Sequence, residues 1–220
     1  MAGKQRVKAT QLRLRPPRSR GMSEARREDL LQRLEDLVLR EGFSHLTVDD
    51  LASRLQCSKS TLYAIAASKE RLVVAVVRHF FREATARIEA RVAEIEDPVN
   101  RISTYLASVG AEMRRMSPRC YADMVGTEAT VDIYEKNSLA AARRVREFIQ
   151  DGVAAGYFRA VNAEFVGAAV TLLIDGIQHG DLLERTGLSS GDAYTELSSL
   201  VLNALANRQE RDRPARRSRR

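Results

Sequence analysis

The stretch EGFSHLTVDDLASRLQCSKSTLYAIAASKERL, residues 41–72, carries the strongest local signals in the chain. Thr47 precedes a short apolar pattern and has Asp50 three positions later, which predicts a helix start with a capping box in which Asp replaces the usual Glu or Gln. Ser58 stands in the same relation to a second short helix that begins near Lys59. The stretch therefore predicts a helix, a tight turn and another helix.

Outward from this stretch, apolar residues recur at intervals of three and four, which is the period of an α-helix. Runs of alternating β-branched residues are missing, so the sequence predicts an all-α fold of about nine helices. Ser23 and Asn162 are expected to cap helices, and Gly42 is expected to end one. One of the last helices is predicted to run from residue 163 to about residue 184.

The net charge of +7 over 220 residues is unevenly distributed. Residues 1–22 hold seven basic side chains and no acidic one, and residues 208–220 hold seven Arg against two acidic residues, whereas residues 23–207 sum to −5. We therefore expect a disordered basic arm over 1–22 and a disordered Arg-rich tail over 208–220. Between them we expect a helix-turn-helix domain over 23–82 and a second helical domain over 83–207.

Several classes of protein are excluded by the same sequence. Cys57 and Cys120 are too few for a disulfide framework and are expected to be free thiols. The amino terminus lacks the apolar core of a signal peptide, and the longest uncharged apolar stretch, residues 165–174, is about half of a membrane span. The expected location is the cytoplasm, with no membrane partner.

Motifs for catalysis and for metal binding are weak. Residues 187–191 read G-x-S-x-G, but a nucleophile of that type must follow a strand, and this segment lies between predicted helices. His79 with Glu83, and Asp175 with His179, each supply only half of a metal site. We therefore expect no enzymatic activity, no cofactor and no bound metal.

The amino-terminal pattern resembles a known family. Gly42-Phe43, the Thr-capped helix after it, Ser58-x-x-Thr61-Leu62-Tyr63 and Ser68-Lys69-Glu70-x-Leu72 are similar to the signature of the tetracycline-repressor family. A looser similarity covers Gly152 to Arg159 and Asp175-Gly176, at the family's join between its seventh and eighth helices. The resemblance implies an all-helical, homodimeric transcriptional regulator whose second domain binds a small ligand that alters its affinity for DNA.

Carried over by position, the resemblance implies specific contacts with double-stranded DNA. Phosphate contacts fix the register of a protein on DNA and base contacts read the sequence. Phosphates are assigned to Thr47, Tyr63 and Lys69, and base edges to Lys59, Ser60 and Thr61, with Ser58 at the start of the same helix. The alternative is that Thr47 and Ser58 serve only as helix caps and that Tyr63 is a packing residue. The sequence departs from the family pattern at Gln56 and Ser60, where the family commonly has Gly, and at Ile65-Ala66, where it has an aromatic-rich pair. These departures put the geometry of the recognition helix in question.

The basic arm is a candidate accessory to DNA binding. The region 23–82 carries ten basic and nine acidic residues, which is little charge for a protein that must bind phosphates. Arms of this kind can enter an adjacent minor groove. The candidates are Arg13, Arg15, Arg18 and Arg20, and the alternative is a solvated tail without a role in binding.

Two further sets of residues are predicted in the second domain. Aromatic and methionine side chains suit a pocket for apolar ligands, with ordinary core as the alternative: Tyr105, Met113, Met116, Tyr121, Met124, Tyr134 and Phe148. Small and branched residues in register on the last two helices suit a four-helix interface between two copies, with burial inside one subunit as the alternative: Leu172, Leu173, Gly176, Ile177, Leu197, Leu200, Val201 and Ala204.

The sequence as a whole favours a ligand-responsive, sequence-specific DNA-binding transcriptional regulator. Its expected partners are a double-stranded DNA operator, a second copy of the chain and a small-molecule effector that releases it from the operator, as for a repressor. The alternative is a helical interaction or scaffold protein that retains the hairpin without specific DNA binding, which the departures at Gln56 and Ile65-Ala66 would explain.

Overall fold

The computed structural model describes residues 22–206, in which the chain forms ten α-helices and no β-strand. The predicted all-α class is confirmed. The arm residues Arg13, Arg15, Arg18 and Arg20 and the Arg-rich tail lie outside the described residues. The helices are α1 Glu24–Glu41, α2 Val48–Arg54, α3 Lys59–Tyr63, α4 Lys69–Val92, α5 Pro98–Met113, α6 Pro118–Val125, α7 Glu128–Ala154, α8 Ala163–His179, α9 Asp181–Thr186 and α10 Ser190–Leu205.

The number of helices differs from the expected nine because the helix predicted over 163–184 is interrupted. Gly180 adopts the left-handed conformation, with φ of 90°, and separates α8 from α9. Only glycine enters this region without a steric penalty. The apolar pattern continues across Gly180, so periodicity alone gave no sign of the break.

The predicted helix caps are present. The Thr47 hydroxyl accepts a hydrogen bond from the Asp50 amide at 3.1 Å, and the Asp50 carboxylate accepts from the Thr47 amide at 2.8 Å, which completes the capping box. Hydrogen bonds from Thr47 lower the pKa of the Asp50 carboxyl. Ser58 caps α3 in the same manner, through the Thr61 amide. These caps fix where α2 and α3 begin.

The long helix α4 connects the two parts of the molecule. It packs against α1 of the amino-terminal part and against α5 and α7 of the second part. The amino-terminal core is built on fully buried leucines of successive helices, Leu34, Leu51 and Leu62. Burial of such side chains stabilises the helix-turn-helix by about 2 kcal/mol each. The core then continues along α4 without a gap to Phe80, which is 1% exposed.

Candidate nucleic-acid interface and internal cavity

The turn between α2 and α3 holds the second helix at a fixed angle to the first. Gln56 takes a positive φ of 52°, where most protein backbones place glycine. Such a conformation costs roughly 1 to 2 kcal/mol for a residue with a Cβ. Two contacts support the turn: the Cys57 amide donates to the Ala52 carbonyl at 3.0 Å, and Arg33 of α1 donates to the Leu55 carbonyl at 2.7 Å. The departure from the family pattern at Gln56 is therefore accommodated without loss of the turn.

Helix α3 presents its polar side chains outward. Leu62 is fully buried, whereas Lys59, Ser60 and Tyr63 are exposed and Thr61 is half-buried. The Ser58 hydroxyl lies 2.7 Å from the Ser60 hydroxyl and 2.8 Å from that of Thr61. The structure thus brings the predicted base-reading residues together on one open surface beside the Ser58 cap. A short helix with exposed polar side chains can reach base edges in the major groove.

The two lysines of this surface have partners within the protein. The Lys59 ammonium lies 2.5 Å from the Asp49 carboxylate, and the Lys69 ammonium donates to the Ser44 carbonyl at 3.0 Å. An exposed ion pair such as that of Lys59 contributes roughly 1 kcal/mol or less, and the exposed hydrogen bond of Lys69 can be replaced by one to water. Both lysines can therefore exchange these partners for a phosphate at small cost.

Ile65 and Ala66 follow the recognition helix and replace the aromatic pair of the family pattern. Both are half-buried and pack against the core, and their amides donate to the Leu62 carbonyl at 2.9 and 3.2 Å. The chain therefore continues the turn after α3 with aliphatic packing in place of aromatic packing.

One carboxylate joins α6 to the segment that leads into α2, and the sequence gave no sign of it. Asp123 accepts hydrogen bonds from the amides of Phe43 at 2.6 Å and Ser44 at 2.9 Å. Partial burial by itself raises the pKa of Asp123, but the hydrogen bonds from Ser44 and Phe43 outweigh it and the pKa is lowered. A Cβ on Gly42, whose φ is 77°, would lie 2.6 Å from an oxygen of Asp123. The close approach of α6 therefore depends on glycine at this position.

A buried ionic network forms a second connection between α1 and the rest of the molecule. The Glu35 carboxylate is 1% exposed and bonds His79 Nδ1 of α4 at 2.5 Å and Arg115, just after α5, at 2.8 Å. Arg115 also donates to Glu112 at 3.0 Å. Arg87 of α4 donates to both oxygens of Glu112. Hydrogen bonding by Arg87 does most to lower the pKa of the Glu112 carboxyl. A Glu within the apolar stripe of α1 was the only sequence signal for this network.

The candidate metal ligands near His79 lie beside this network. Glu28, His79 and Glu83 place one ligand atom each within 4.8 Å of the others. However, Arg82 donates to Glu83 at 3.0 Å and to Glu28 at 3.2 Å, and Glu28 also bonds His79 Nε2 at 2.8 Å. The three candidate ligands are thus engaged by charged partners within the protein.

A cavity of about 210 Å³ lies between α4, α5, α7 and α8. Of the predicted pocket residues, Tyr105, Met113 and Tyr134 line it. The others do not and belong to the surrounding core, because their side chains pack between helices with at most 6% of their surface exposed: Met116, Tyr121, Met124 and Phe148. Residues that the sequence analysis missed complete the lining, among them Glu89 and Arg144, which are charged and gave no apolar signal.

The predicted interface residues on α8 and α10 divide into two groups. Leu172 is 72% exposed and Leu200 is 61% exposed, Ala204 is also exposed, and Leu173 and Gly176 are half-buried. In contrast, Ile177, Leu197 and Val201 are buried within one chain, which corrects their assignment to an open interface. Leu197 and Val201 are four positions apart on α10 and therefore lie along one side of that helix, which is turned to the core. Phe165, which is 72% exposed, adds to the open apolar surface of α8.

The G-x-S-x-G segment is a connection between helices, as expected. Ser189 precedes α10 and accepts a hydrogen bond from the Asp192 amide at 3.2 Å, so its hydroxyl is used as a helix cap. Within residues 22–206, no helix has the length and the apolar character needed to cross a membrane.

These features define the chain as an all-helical protein with an amino-terminal helix-turn-helix and a cavity in its second part. Residues 30–76 match the family model for bacterial regulatory proteins of the tetR family. The resemblance of the helix-turn-helix segment to that family, which the sequence predicted, is confirmed by this match. No curated protein sequence matches the chain.

Solved structures show the same fold over most of the chain. A transcriptional regulator from Saccharomonospora viridis in complex with choline superposes with a TM-score of 0.72 at 20% identity, covering 84% of this chain and 100% of that one. A TetR transcription regulator from Haloarcula marismortui gives 0.69 at 19% identity, covering 83% and 100%. The ketosteroid transcriptional regulator KstR2 of Mycobacterium tuberculosis gives 0.58 at 20% identity, covering 85% and 98%. Together with the family match, these likenesses support a DNA-binding regulator.

Proposed function

We propose that this chain is a ligand-responsive, sequence-specific transcriptional regulator that acts in the cytoplasm without catalysis. It is a repressor that leaves its operator when a small apolar or amphipathic molecule enters the cavity. The observation that carries the proposal is the exposed polar surface of α3, behind a fully buried Leu62, within a segment that matches the tetR family model. Phosphate contacts come from Thr47, Tyr63 and Lys69, and base contacts from Lys59, Ser60 and Thr61. The basic arm adds further phosphate contacts.

The ligand part of the proposal is supported by the position of the cavity. It is lined by α4, which also carries Lys69 at its first residue and packs against α1. One structural neighbour is described in complex with choline, and another is named for ketosteroids. A ligand can shift DNA binding only by its difference in affinity between the two conformations of the protein. Helix α4 forms a wall of the cavity and also supports the helix-turn-helix. A change in its position would therefore alter both the affinity for the ligand and the placement of the recognition helix.

The expected result for DNA binding is strong preference for one sequence. The full chain should bind a fragment from upstream of its own coding sequence at least about 1,000-fold more tightly than random DNA at near-physiological salt.

Lys69→Gln should weaken binding to both DNAs and reduce the slope of log affinity against log salt by about 1, because a phosphate contact is lost. Lys59→Ala should instead reduce the preference for the specific fragment, by about 1 to 3 kcal/mol.

The matched control is Lys136→Gln, which removes the same charge from an exposed position on α7. It should leave both affinities and the salt slope unchanged. Fluorescence anisotropy with labelled DNA over a range of salt concentrations measures all of these quantities. Equal affinity of the unaltered chain for the two DNAs would overturn the proposal in favour of a helical interaction protein.

The proposal requires two copies of the chain, because paired recognition helices read successive major grooves about 34–36 Å apart. Leu172 of α8 and Leu200 of α10 are the exposed apolar residues that such an interface would cover. The unaltered chain should be a dimer by light scattering at micromolar concentration, and Leu172→Glu with Leu200→Glu should be monomeric, because unpaired charges would be buried. Leu139→Glu on α7, where Leu139 is 65% exposed, is the matched control and should remain dimeric. An unaltered chain that is monomeric would exclude this interface.

A further inference from the structure

We propose that the cavity binds a small, electrically neutral organic molecule that is largely apolar and carries one oxygen that accepts a hydrogen bond from the Tyr105 hydroxyl. The inference rests on the proposed function and deepens it, since it names the chemical class of the effector. It is carried by three observations on the cavity: its apolar wall, the pairing of its only two charged residues within the described lining, and a tyrosine hydroxyl that has no hydrogen-bond partner among the described residues.

The wall of the cavity limits the size and polarity of the ligand. Its deeper surface is formed by aliphatic and aromatic side chains such as Phe81, Val145 and Val170, none of which is more than 8% exposed. A volume of about 210 Å³ is the space of roughly seven water molecules in the liquid. Because it is smaller than the pockets that take drug-sized molecules, which start near about 300 Å³, we expect a compact ligand of roughly ten non-hydrogen atoms.

The two charged residues of the lining neutralise each other. Arg144 donates to both carboxylate oxygens of Glu89, at 3.0 and 2.9 Å. The same guanidinium donates to Glu147 at 3.0 Å and lies 4.3 Å above the Phe148 ring. One face of the Arg144 guanidinium and all three of its nitrogens are therefore engaged, and the cavity lining offers no unpaired charge. An anionic ligand would have to displace Glu89 and a cationic one Arg144, which leaves a charge without its partner.

Tyr105 supplies a hydroxyl to the lining that makes no hydrogen bond to the described part of the protein. Its side chain lines the cavity and the residue is 5% exposed, yet its hydroxyl makes no hydrogen bond with any described residue. The ring is held against Phe148, with centroids 5.3 Å apart at an angle of 73°. Burial raises the pKa of Tyr105, so the group keeps its proton and acts as a donor. No fully buried side-chain N or O atom of the described residues lacks a hydrogen-bond partner, so this unpaired hydroxyl keeps some accessible surface. A ligand oxygen can replace water as its acceptor.

Tyr134, the second tyrosine of the lining, differs in this respect. Its hydroxyl donates to the Asp175 carboxylate and also accepts from the Tyr121 hydroxyl at 3.4 Å. It is therefore already satisfied by protein groups and has no need of a ligand. Of these two ring hydroxyls, only that of Tyr105 is left for the ligand.

Four probes with one carbon skeleton test the inference: butylbenzene, phenylbutanol, phenylbutyrate and phenylbutylammonium. They differ in being apolar, neutral with a hydroxyl, anionic and cationic. Calorimetric titration of the full chain at neutral pH should show phenylbutanol binding at least about tenfold more tightly than either charged probe. Tyr105→Phe should weaken phenylbutanol binding about fivefold and leave butylbenzene within about twofold, because only a hydrogen bond is lost.

The control variant is Tyr157→Phe, which removes a hydroxyl from a tyrosine that is 47% exposed and outside the cavity lining. It should bind all four probes like the unaltered chain. Butylbenzene binding by Tyr105→Phe shows that the altered cavity is intact. A charged probe that binds as tightly as phenylbutanol, an equal loss for both neutral probes in Tyr105→Phe, or no binding by any probe would overturn the inference.

Release of DNA, measured separately by anisotropy, distinguishes the two proposals. Phenylbutanol that binds through Tyr105 without weakening operator binding would support the assigned chemistry of the cavity and contradict the ligand response. A charged probe that binds the cavity and releases DNA would support the ligand response and overturn the assigned chemistry. Both proposals are supported if phenylbutanol binds, weakens operator binding and loses part of this effect in Tyr105→Phe.

Discussion

Glu35→Leu is expected to lower the free energy of unfolding by about 3 kcal/mol, because it removes the acceptor shared by buried His79 and partly exposed Arg115. Glu35 is 1% exposed and bonds His79, itself 2% exposed, as well as the partly exposed Arg115. After the substitution, His79 Nδ1 has no partner within the described part of the chain, and burial of an unpaired polar atom is costly. The melting temperature should fall by roughly 8 °C for a chain of this size.

Asp36→Asn is the matched control for this substitution. Asp36 neighbours Glu35 on α1 and lies 3.7 Å from the same Arg115, but its side chain is 56% exposed. Loss of the Asp36 negative charge should change the free energy of unfolding by less than about 0.5 kcal/mol. Urea unfolding at one protein concentration measures both variants, since a dimer's stability depends on concentration. If Glu35→Leu is as stable as Asp36→Asn, the network does not hold α1 in place.

Gly42→Ala is the second substitution with a large expected effect, about 3 kcal/mol of lost stability. Part of the loss arises from the φ of 77°, which a residue with a Cβ adopts at a cost of roughly 1 kcal/mol. The remainder arises because the new Cβ would lie 2.6 Å from an oxygen of Asp123. Relief of this overlap displaces the carboxylate from the amides of Phe43 and Ser44, and both hydrogen bonds are lost.

Gly156→Ala separates the two contributions. Gly156 has the same φ of 77°, but a Cβ there would meet nothing within 4 Å. Gly156→Ala should therefore lower the free energy of unfolding by only about 1 kcal/mol. In an Asp123→Ala background the overlap at Gly42 is relieved, and adding Gly42→Ala should then cost little more than Gly156→Ala does. Chemical denaturation of the variants and the double variant gives the coupling. Equal losses for Gly42→Ala and Gly156→Ala would show that the contact with α6 contributes nothing.

The helix-turn-helix was predictable from sequence because its signals are local. Thr47 and Ser58 each cap a helix through amides three residues away, and such patterns are visible in the order of residues. The aliphatic residues of α2 and α3 likewise repeat at the helical period, which indicates the buried face. These two patterns predicted where α2 and α3 begin, whereas the DNA-contacting roles of their residues were implied by the family resemblance alone.

The second part of the molecule was less predictable because its features depend on contacts between distant residues. Asp123 meets residues 43 and 44 about 80 positions away, and the charged pair of the cavity joins residues 89 and 144. Neither produces a pattern along the chain. The helical period also does not tell a face buried inside one chain from a face covered by a partner, which explains the error for Ile177, Leu197 and Val201.

The hydrogen bonds from Phe43 and Ser44 to Asp123 also limit how freely the two parts of this molecule can be recombined. A hybrid that joins this helix-turn-helix to the effector domain of another regulator keeps every residue of α1 to α3 and still loses the carboxylate that holds the segment before α2. An exchange of domains between regulators therefore requires that the new effector domain carry a hydrogen-bond acceptor at the position of Asp123. It also requires glycine at position 42, because a Cβ there would overlap with this acceptor. The unit of exchange is the helix-turn-helix with α6, although the two are separated by more than fifty residues in the sequence.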